Sequence, residues 1–523
     1  MFLIRSTSNI LKSSGGSISL AKRYLGTANS KVNTTKTSVV SRKQPSIYEI
    51  LRRKRDRAGL VNVDNHDNPD IETVVFPRER LGLNYDLNWA LNGYSITPLN
   101  QAYRNAKLKM LLQHSKGTTN NNNVLTVQQK SQSQQTLNYY LEESLAKSNN
   151  SSTISLSQYK SLLEKVKDHI SQSQNIYVQD SAIGSHRSNE TLIRVVTNDA
   201  FSSLYLKHLL PNTVLSSVKE FKHPITLYLT PDFNLSSPET FGLKSSNFNI
   251  LDVKRGIAVI SGVHSTENIK SVLNSVFSSV LMKNKEGTIH LTSDIFVPTK
   301  NADKPILVLN NDGYLLSKKF ESGKVVSQGA IWNQEGLTRP YNALTSNQES
   351  HAKQPFDLVE KFQGDAKKVN VVTPLVVTTN IYQHPQAVVF IVSDAKGVLP
   401  ALSELTPEQA EKYFVTGYNG TSFNPFFSKD QNTTSNKSKS EIFKNLIQQN
   451  KTNVYIINPN AFKNEGDIDQ ILTSIGSGKV NKSAKSDIYS TLSPIGKQLN
   501  EVKKESVVEF ENSLQTQYEK LLL

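Results

Sequence analysis

Short runs of β-branched and aromatic residues, each about one buried strand long, recur along the chain: TLIRVV, ITLYLT, FNILDV, GIAVISG, TIHLTSDIFV, KPILVLN, VNVVTPLVV, AVVFIVSDA and NVYIIN. A strand that is apolar on both faces must be covered on both faces, which commits the chain to sheets layered with helices. Helical spacing predicts those layers at Ser157–Ile170, Ala200–Leu210 and Glu267–Leu281, and a short helix at Asp467–Leu472. Another helix starts at Thr406, with Pro407 at its first position and Glu408 and Glu411 in its first turn. The fold class is therefore α/β, or α+β. Between Leu83 and Leu112 the spacing of Leu87, Ala90, Leu91, Ala102, Leu108, Leu111 and Leu112 also predicts helices.

Composition narrows the chemistry. The chain has 523 residues and no cysteine, which excludes disulfides, thiolate metal sites and a thiol nucleophile. No apolar run approaches the roughly 20 residues needed to span a bilayer, so a soluble protein without a transmembrane segment is expected. The net charge of +15 is uneven: eight basic residues precede the first carboxylate, Glu49. With Phe2, Leu3, Ile4, Ile10 and Leu11 able to share a helix face, residues 1–45 read as a mitochondrial presequence and disordered arm. The competing reading is a basic arm for nucleic acid or anionic lipid. Residues 115–135, with the run NNNN, and 429–440 are polar insertions, the first expected to be disordered or weakly ordered. Asp64, His66, Asp67 and Asp70 match no metal-loop spacing and read as solvated turns.

The stretch AVVFIVSDAKGVLPALSELTPEQAEKYFVTGY resembles the ATP-type phosphoenolpyruvate carboxykinase family, with its strand, Asp-Ala-x-Gly-Val-Leu-Pro turn, Leu-Thr-Pro-Glu-Gln-Ala helix and Gly-Tyr ending. NIYVQDSAIG, TLIRVVTNDAF, FNILDVKRGIAVISG and the strand holding His290 follow in family order. The resemblance implies a bilobal fold, with an N-terminal lobe at 46–240 and a degenerate nucleotide-binding-type lobe at 241–523. It also implies ATP and oxaloacetate between the lobes and two divalent metals, Mn or Mg.

The same resemblance places Arg194 at a substrate-binding arginine, Lys270 at the first of two active-site lysines and His290 at a metal-binding histidine. The second lysine is Ser271 here, and a later arginine is Asn370. Where the family carries G-x-x-x-x-G-K-[ST] and paired aspartates, the chain reads KNADKPILVLNNDGYLLSKKF, with one glycine, Gly313, and no Gly-Lys-Thr. Without successive glycines and the lysine, a phosphate cannot be wrapped or neutralised. A decoy at ILTSIGSGKV has Thr473 where the first P-loop glycine belongs and Val480 after Lys479, so it is expected to be a surface turn.

Arg194, Lys270 and His290 are therefore expected as vestigial positions, with no catalytic residue, nucleotide site, metal or cofactor. The preferred reading is an inactive carboxykinase-like protein of the mitochondrion, with the matrix as its compartment. It would serve as a scaffold or subunit among other mitochondrial proteins, in a large complex or the mitochondrial ribosome, with RNA a secondary partner. The alternative is a divergent active ATP-dependent phosphoenolpyruvate carboxykinase of gluconeogenesis, using Mn or Mg and ATP, with Asp294, Asp303 or Asp312 as substitute metal ligands.

Overall fold

A computed structural model describes residues 61–62, 74–76, 91–119, 124–129, 136–141, 152–211, 224–301, 303–310, 321–342, 344–345, 357–362, 369–374, 379–394, 396–428, 436–462, 466–480, 492–495 and 504–522. The basic arm at 1–45 and the residues Asp64, His66, Asp67 and Asp70 lie outside them, as do Asp312 and Gly313. The described helices are α1 (Leu108–His114), α2 (Leu156–Gln172), α3 (Ala200–Leu209), α4 (Thr266–Asn284), α5 (Pro407–Thr416), α6 (Asn436–Asn450), α7 (Gly466–Gly476) and α8 (Lys504–Leu522).

The first sheet has ten strands, and its centre runs Gln101–Arg104, Asn175–Ile183, Thr191–Thr197, Ile225–Thr230, Ile257–Ser261 and Phe248–Asp252. Strand alternation sorts its side chains into two cores. Val195, Leu227 and Ala258 lie in one paired row and pack with Leu204 of α3 and Val272 and Val276 of α4. The next row, Val196, Tyr228, Val259 and Ile250, faces the other way onto Tyr159, Leu162 and Val166 of α2.

A nine-stranded second sheet repeats the arrangement, with Ile289–Pro298, Ile306–Leu309, Ala387–Ile391 and Asn453–Ile457 at its centre. Leu307, Val388 and Val454 share a row against Phe414 of α5, Phe443 of α6 and Phe510 of α8. Val308, Val389 and Tyr455 face Ile468, Leu472 and Ile475 of α7. The continuous apolar runs that form the centres of these two sheets thus have the cause assumed for them: both faces are covered.

α5 starts where the sequence places it. The Thr406 side chain accepts from the Gln409 backbone N–H, and the Gln409 side chain accepts from the Thr406 N–H, a reciprocal cap. Glu411 does not serve the first turn; it points inward, accepting from Ser440 and pairing with Lys444 at 3.0 Å. The helix ends at Gly417 with φ +58°, where a Cβ would lie 1.6 Å from the Asn424 carbonyl oxygen.

Two expectations fail. Ala102 lies on a strand rather than a helix, because residues Gln101–Arg104 pair in parallel with Asn175–Val178 and tertiary pairing overrides the spacing. Within 115–135, Val124–Gln129 is a strand that pairs in parallel with Asp357–Phe362, and Thr118–Thr119 folds back on it. The run Val124-Leu125-Thr126-Val127 buries Leu125 and Val127, and the flanking Asn and Gln residues hid it. The insertion at 429–440 likewise ends in helix, since α6 begins at Asn436.

Gly417→Ala is expected to destabilise the protein by on the order of 2 kcal/mol or more, because left-handed strain and a backbone clash coincide. Gly397, also at positive φ (+68°) but with nothing within 4 Å of a Cβ, supplies the control. Gly397→Ala should cost roughly 1 kcal/mol from strain alone. Equal losses in denaturant titrations would refute the steric account.

Candidate functional site

The three residues singled out by sequence do not form one cluster. Arg194, on the strand Thr191–Thr197, faces its direct antiparallel pairing partner Asp180. Arg194 Nε donates to Asp180 Oδ1 at 2.6 Å and Nη2 to Oδ2 at 3.0 Å, while Nη1 donates to the Tyr94 hydroxyl at 3.1 Å. Arg104 brings a second guanidinium to the same carboxylate, its Nη2 donating to Oδ2 at 2.6 Å. Burial alone would push the Asp180 carboxyl up; the Arg194 and Arg104 guanidiniums outweigh it and hold it below the usual carboxylate range. Arg194 is 1% exposed, so its planar fork is turned into the protein and engaged there.

Lys270 and His290 lie on α4 and on the strand Ile289–Pro298 that packs against it, close enough for the lysine charge to act on the imidazole. Lys270 Nζ donates to Gln328 Oε1 at 2.7 Å and lies over the Tyr341 ring. Burial draws its ammonium down to about 8, with Asp294 and then Glu267 opposing. The His290 ring packs edge-on against Phe277 of α4, 5.1 Å between centroids. Burial, then the charges of Lys439 and Lys270, bring the imidazole down to about 3, so it is neutral at pH 7. Asp294 is pushed up to about 6 by burial, against a hydrogen bond from Asn310 Nδ2 at 3.2 Å and the charge of Lys270.

The His290 Nε2 atom is buried without a hydrogen-bond partner and borders a cavity of about 20 Å³. Lys439 of α6 reaches that cavity and also lies over the Phe426 ring, 5.6 Å from its centroid. Sequence reading missed Lys439 because it belongs to a polar insertion with no motif around it. Phe426 and Phe427 both have left-handed backbone, φ +58° and +52°, and Thr292 Oγ1 donates to the Phe427 carbonyl at 2.7 Å. That contact ties the 419–427 loop to the histidine strand, and Phe426 stacks edge-on against Phe414.

Among the described residues that line this cavity there is no carboxylate, and Lys439 brings an ammonium, a set unlike the oxygen ligands a divalent cation takes. Among the described residues no three His, Asp or Glu side chains come together to hold a metal. Asp294 faces Lys270, and Asp303 is exposed. Asp312 and the rest of the segment 311–320, where a phosphate loop would stand, lie outside the described residues. The decoy at Gly476–Lys479 lies at the C-terminal end of α7. Its Ser477, Gly478 and Lys479 N–H groups donate to the Thr473, Ile475 and Ser474 carbonyls, so they form no anion nest.

The segment that carries most of the sequence signal is a structural frame. Asp394 is 2% exposed and accepts from the backbone N–H of Lys396 at 2.9 Å, that of Leu399 at 2.7 Å and the Tyr418 hydroxyl at 3.1 Å. One carboxylate thus closes the turn after the strand Ala387–Ile391 and fastens the residue following the α5 cap to it.

The chain is similar to known proteins over these elements. The model of a family described as phosphoenolpyruvate carboxykinase matches residues 101–306 and 368–465, and lapses between them. Among curated proteins, the phosphoenolpyruvate carboxykinase (ATP) of Caldanaerobacter subterraneus is 22% identical over 310 residues, 51% of this chain and 56% of that one. That of Flavobacterium johnsoniae is 26% identical over 293 residues, 50% and 54% of the two chains, and that of Sinorhizobium fredii 24% over 296, 51% and 55%. The chain spans about half the length of the curated relatives it matches.

Asp180→Asn leaves two buried guanidiniums without their carboxylate and is expected to cost roughly 3–5 kcal/mol in urea unfolding. A loss below about 1 kcal/mol, the scale of a surface pair, would refute the buried-pair reading. For Asp294 the folded value near 6 lies above the ordinary 3.8. The stability it contributes is complete below about pH 4 and lost as pH rises through 6. Asp294→Asn, which cannot ionise, should therefore gain on wild type between pH 4 and pH 7, by up to about 3 kcal/mol. A pH-independent difference would contradict it.

Proposed function

The chain belongs to the phosphoenolpyruvate carboxykinase family, and on that premise we propose that it is a catalytically inactive member, held in the mitochondrion as a scaffold or subunit of a larger assembly. The observation that carries this reading is the segment KNADKPILVLNNDGYLLSKKF. It has no Gly-Lys-Thr and no aspartate pair, and the family match lapses just after the segment begins, at residue 306. Phosphoryl transfer depends almost wholly on positioning phosphates and neutralising their charge. Each missing group of that kind costs orders of magnitude in rate.

The side chains at the inherited positions support the reading. Arg194 is taken up by Asp180 and Tyr94, Lys270 by Gln328, and the described residues around the His290 cavity include the Lys439 ammonium and no carboxylate. The mitochondrial address rests on the acid-free basic residues before Glu49. The partner is another mitochondrial protein or a large particle, the ribosome included. No described helix is long and apolar enough to cross a membrane.

Purified full chain should form no phosphoenolpyruvate from oxaloacetate, ATP and manganese, and should show no melting shift with ATP and manganese. In mitochondrial lysate it should sediment with a high-mass particle. Product formation that His290→Ala abolishes would establish the alternative, a divergent ATP-dependent carboxykinase working in gluconeogenesis. Sedimentation as a free monomer would remove the scaffold role.

A further inference from the structure

Asparagine followed by glycine occurs twice in the chain, at Asn92-Gly93 and at Asn419-Gly420. Glycine has no Cβ to shield its own N–H, so in such a pair that nitrogen can approach the asparagine side chain. The first pair lies inside the one-turn helix Leu91–Tyr94. The second follows the α5 cap, and the fold requires its glycine: Gly420 has φ +100°, and a Cβ there would lie 2.0 Å from the Ser393 carbonyl oxygen.

The surroundings of Asn419 prepare its side-chain amide for attack. Its Oδ1 accepts from the Ser422 and Thr421 backbone N–H groups at 2.8 and 3.1 Å and from their hydroxyls at 3.2 and 3.3 Å. A backbone N–H can only donate, so the atom these two meet is the amide oxygen. Donors gathered on a carbonyl oxygen stabilise the negative charge that a nucleophile would place there. The Asn419 backbone N–H donates to the Ser422 carbonyl and the Tyr418 hydroxyl to the Gly420 carbonyl, which holds both residues in place. Among the described residues the Gly420 N–H meets no acceptor and the Asn419 Nδ2 group no partner. Nucleophile and leaving group are uncommitted, while the oxygen that must take the charge is fixed. Asn419 is half-buried beside the exposed Thr421 and Ser422, within reach of solvent.

The geometry points to Asn419 as a site of self-modification, at which the Gly420 nitrogen closes a ring on the asparagine side chain and the amide becomes an acid. The Gly420 nitrogen gives up its proton and bonds to Asn419 Cγ, and the charge falls on Oδ1. The Cγ–Nδ2 bond then breaks, and the nitrogen takes up the proton and leaves as ammonia. Water adds to one carbonyl of the succinimide and breaks a ring C–N bond. Opening at Cγ gives aspartate, and opening at the main-chain carbonyl gives isoaspartate, whose backbone runs through the side chain. No oxidant or reductant enters. Either product adds a negative charge to the 419–427 loop, and isoaspartate also lengthens the backbone next to a glycine with no room to shift, in a loop that Thr292 ties to the strand Ile289–Pro298. The reaction is independent of whether the chain serves as a scaffold.

The test holds full-length protein, folded, at mildly alkaline pH in heavy-oxygen water and maps its peptides by mass. Asn419 should become a mixture of aspartate and isoaspartate carrying one heavy oxygen, faster as pH rises, while Asn92 stays an amide. In urea both asparagines should convert, which shows that each is chemically competent once unfolded. An Asn419 that stays intact in the folded protein while the unfolded chain converts would mean that the four hydrogen bonds protect it, and would overturn the proposal. Equal rates at Asn92 and Asn419 in the folded protein would also overturn it, since the local sequence would then be the whole cause. Asn419→Gln, one methylene longer, should abolish the acid at 419 and most of the ammonia released by the folded protein. Ammonia release undiminished in that variant would place the reaction elsewhere and reject the site.

Discussion

Burial on both faces of two sheets is the constraint from which the rest of the structure follows. Once Val195 and Val196, or Val388 and Val389, must each find apolar neighbours on opposite sides, helices have to lie above and below every central strand. That requirement fixes α3 and α4 on one side of the first sheet and α2 on the other, and it sets α5, α6 and α8 opposite α7 across the second. It also leaves the polar residues on central strands with nowhere to go. Asp180 and Arg194, paired across neighbouring strands, answer by neutralising each other, with Arg104 as a third member.

The division between what sequence disclosed and what it hid has a physical basis. Strands read as continuous β-branched runs and helices announced by a cap residue were legible because their determinants are local: Thr406, Pro407 and Gln409 specify α5 within four residues. Tertiary decisions were not legible. Ala102 sits in a helical pattern but pairs as a strand, and Val124–Gln129 is a short apolar run inside Asn- and Gln-rich surroundings that acquires meaning only from Asp357–Phe362. The long helix α8 carried a usable signal in Val507, Phe510 and Leu514, spaced three and four apart, that was not read.

The same distinction applies to the site. The segment from Ala387 to Tyr418 made the family recognisable, and its carboxylate and hydroxyl hold backbone: Asp394 grips two N–H groups and Tyr418. Geometry of that kind survives as long as the fold does, whatever happens to chemistry elsewhere in the chain. Lys270 and His290 could be named from sequence, but their meaning depends on Lys439 and Phe426, which come from segments far along the chain and carry no pattern.

The parallel pairing of Val124–Gln129 with Asp357–Phe362 joins segments separated by roughly 230 residues. A ribosome adding about 5–20 residues per second completes the second strand some tens of seconds after the first has left the tunnel. Throughout that interval Val124, Leu125 and Val127 belong to a strand whose N–H and C=O groups have only the two-residue return at Thr118–Thr119 to pair with. An apolar strand left with an open edge is a site of association between chains. In the folded chain Asp357–Phe362 covers that edge, so completing this long-range pair removes the site.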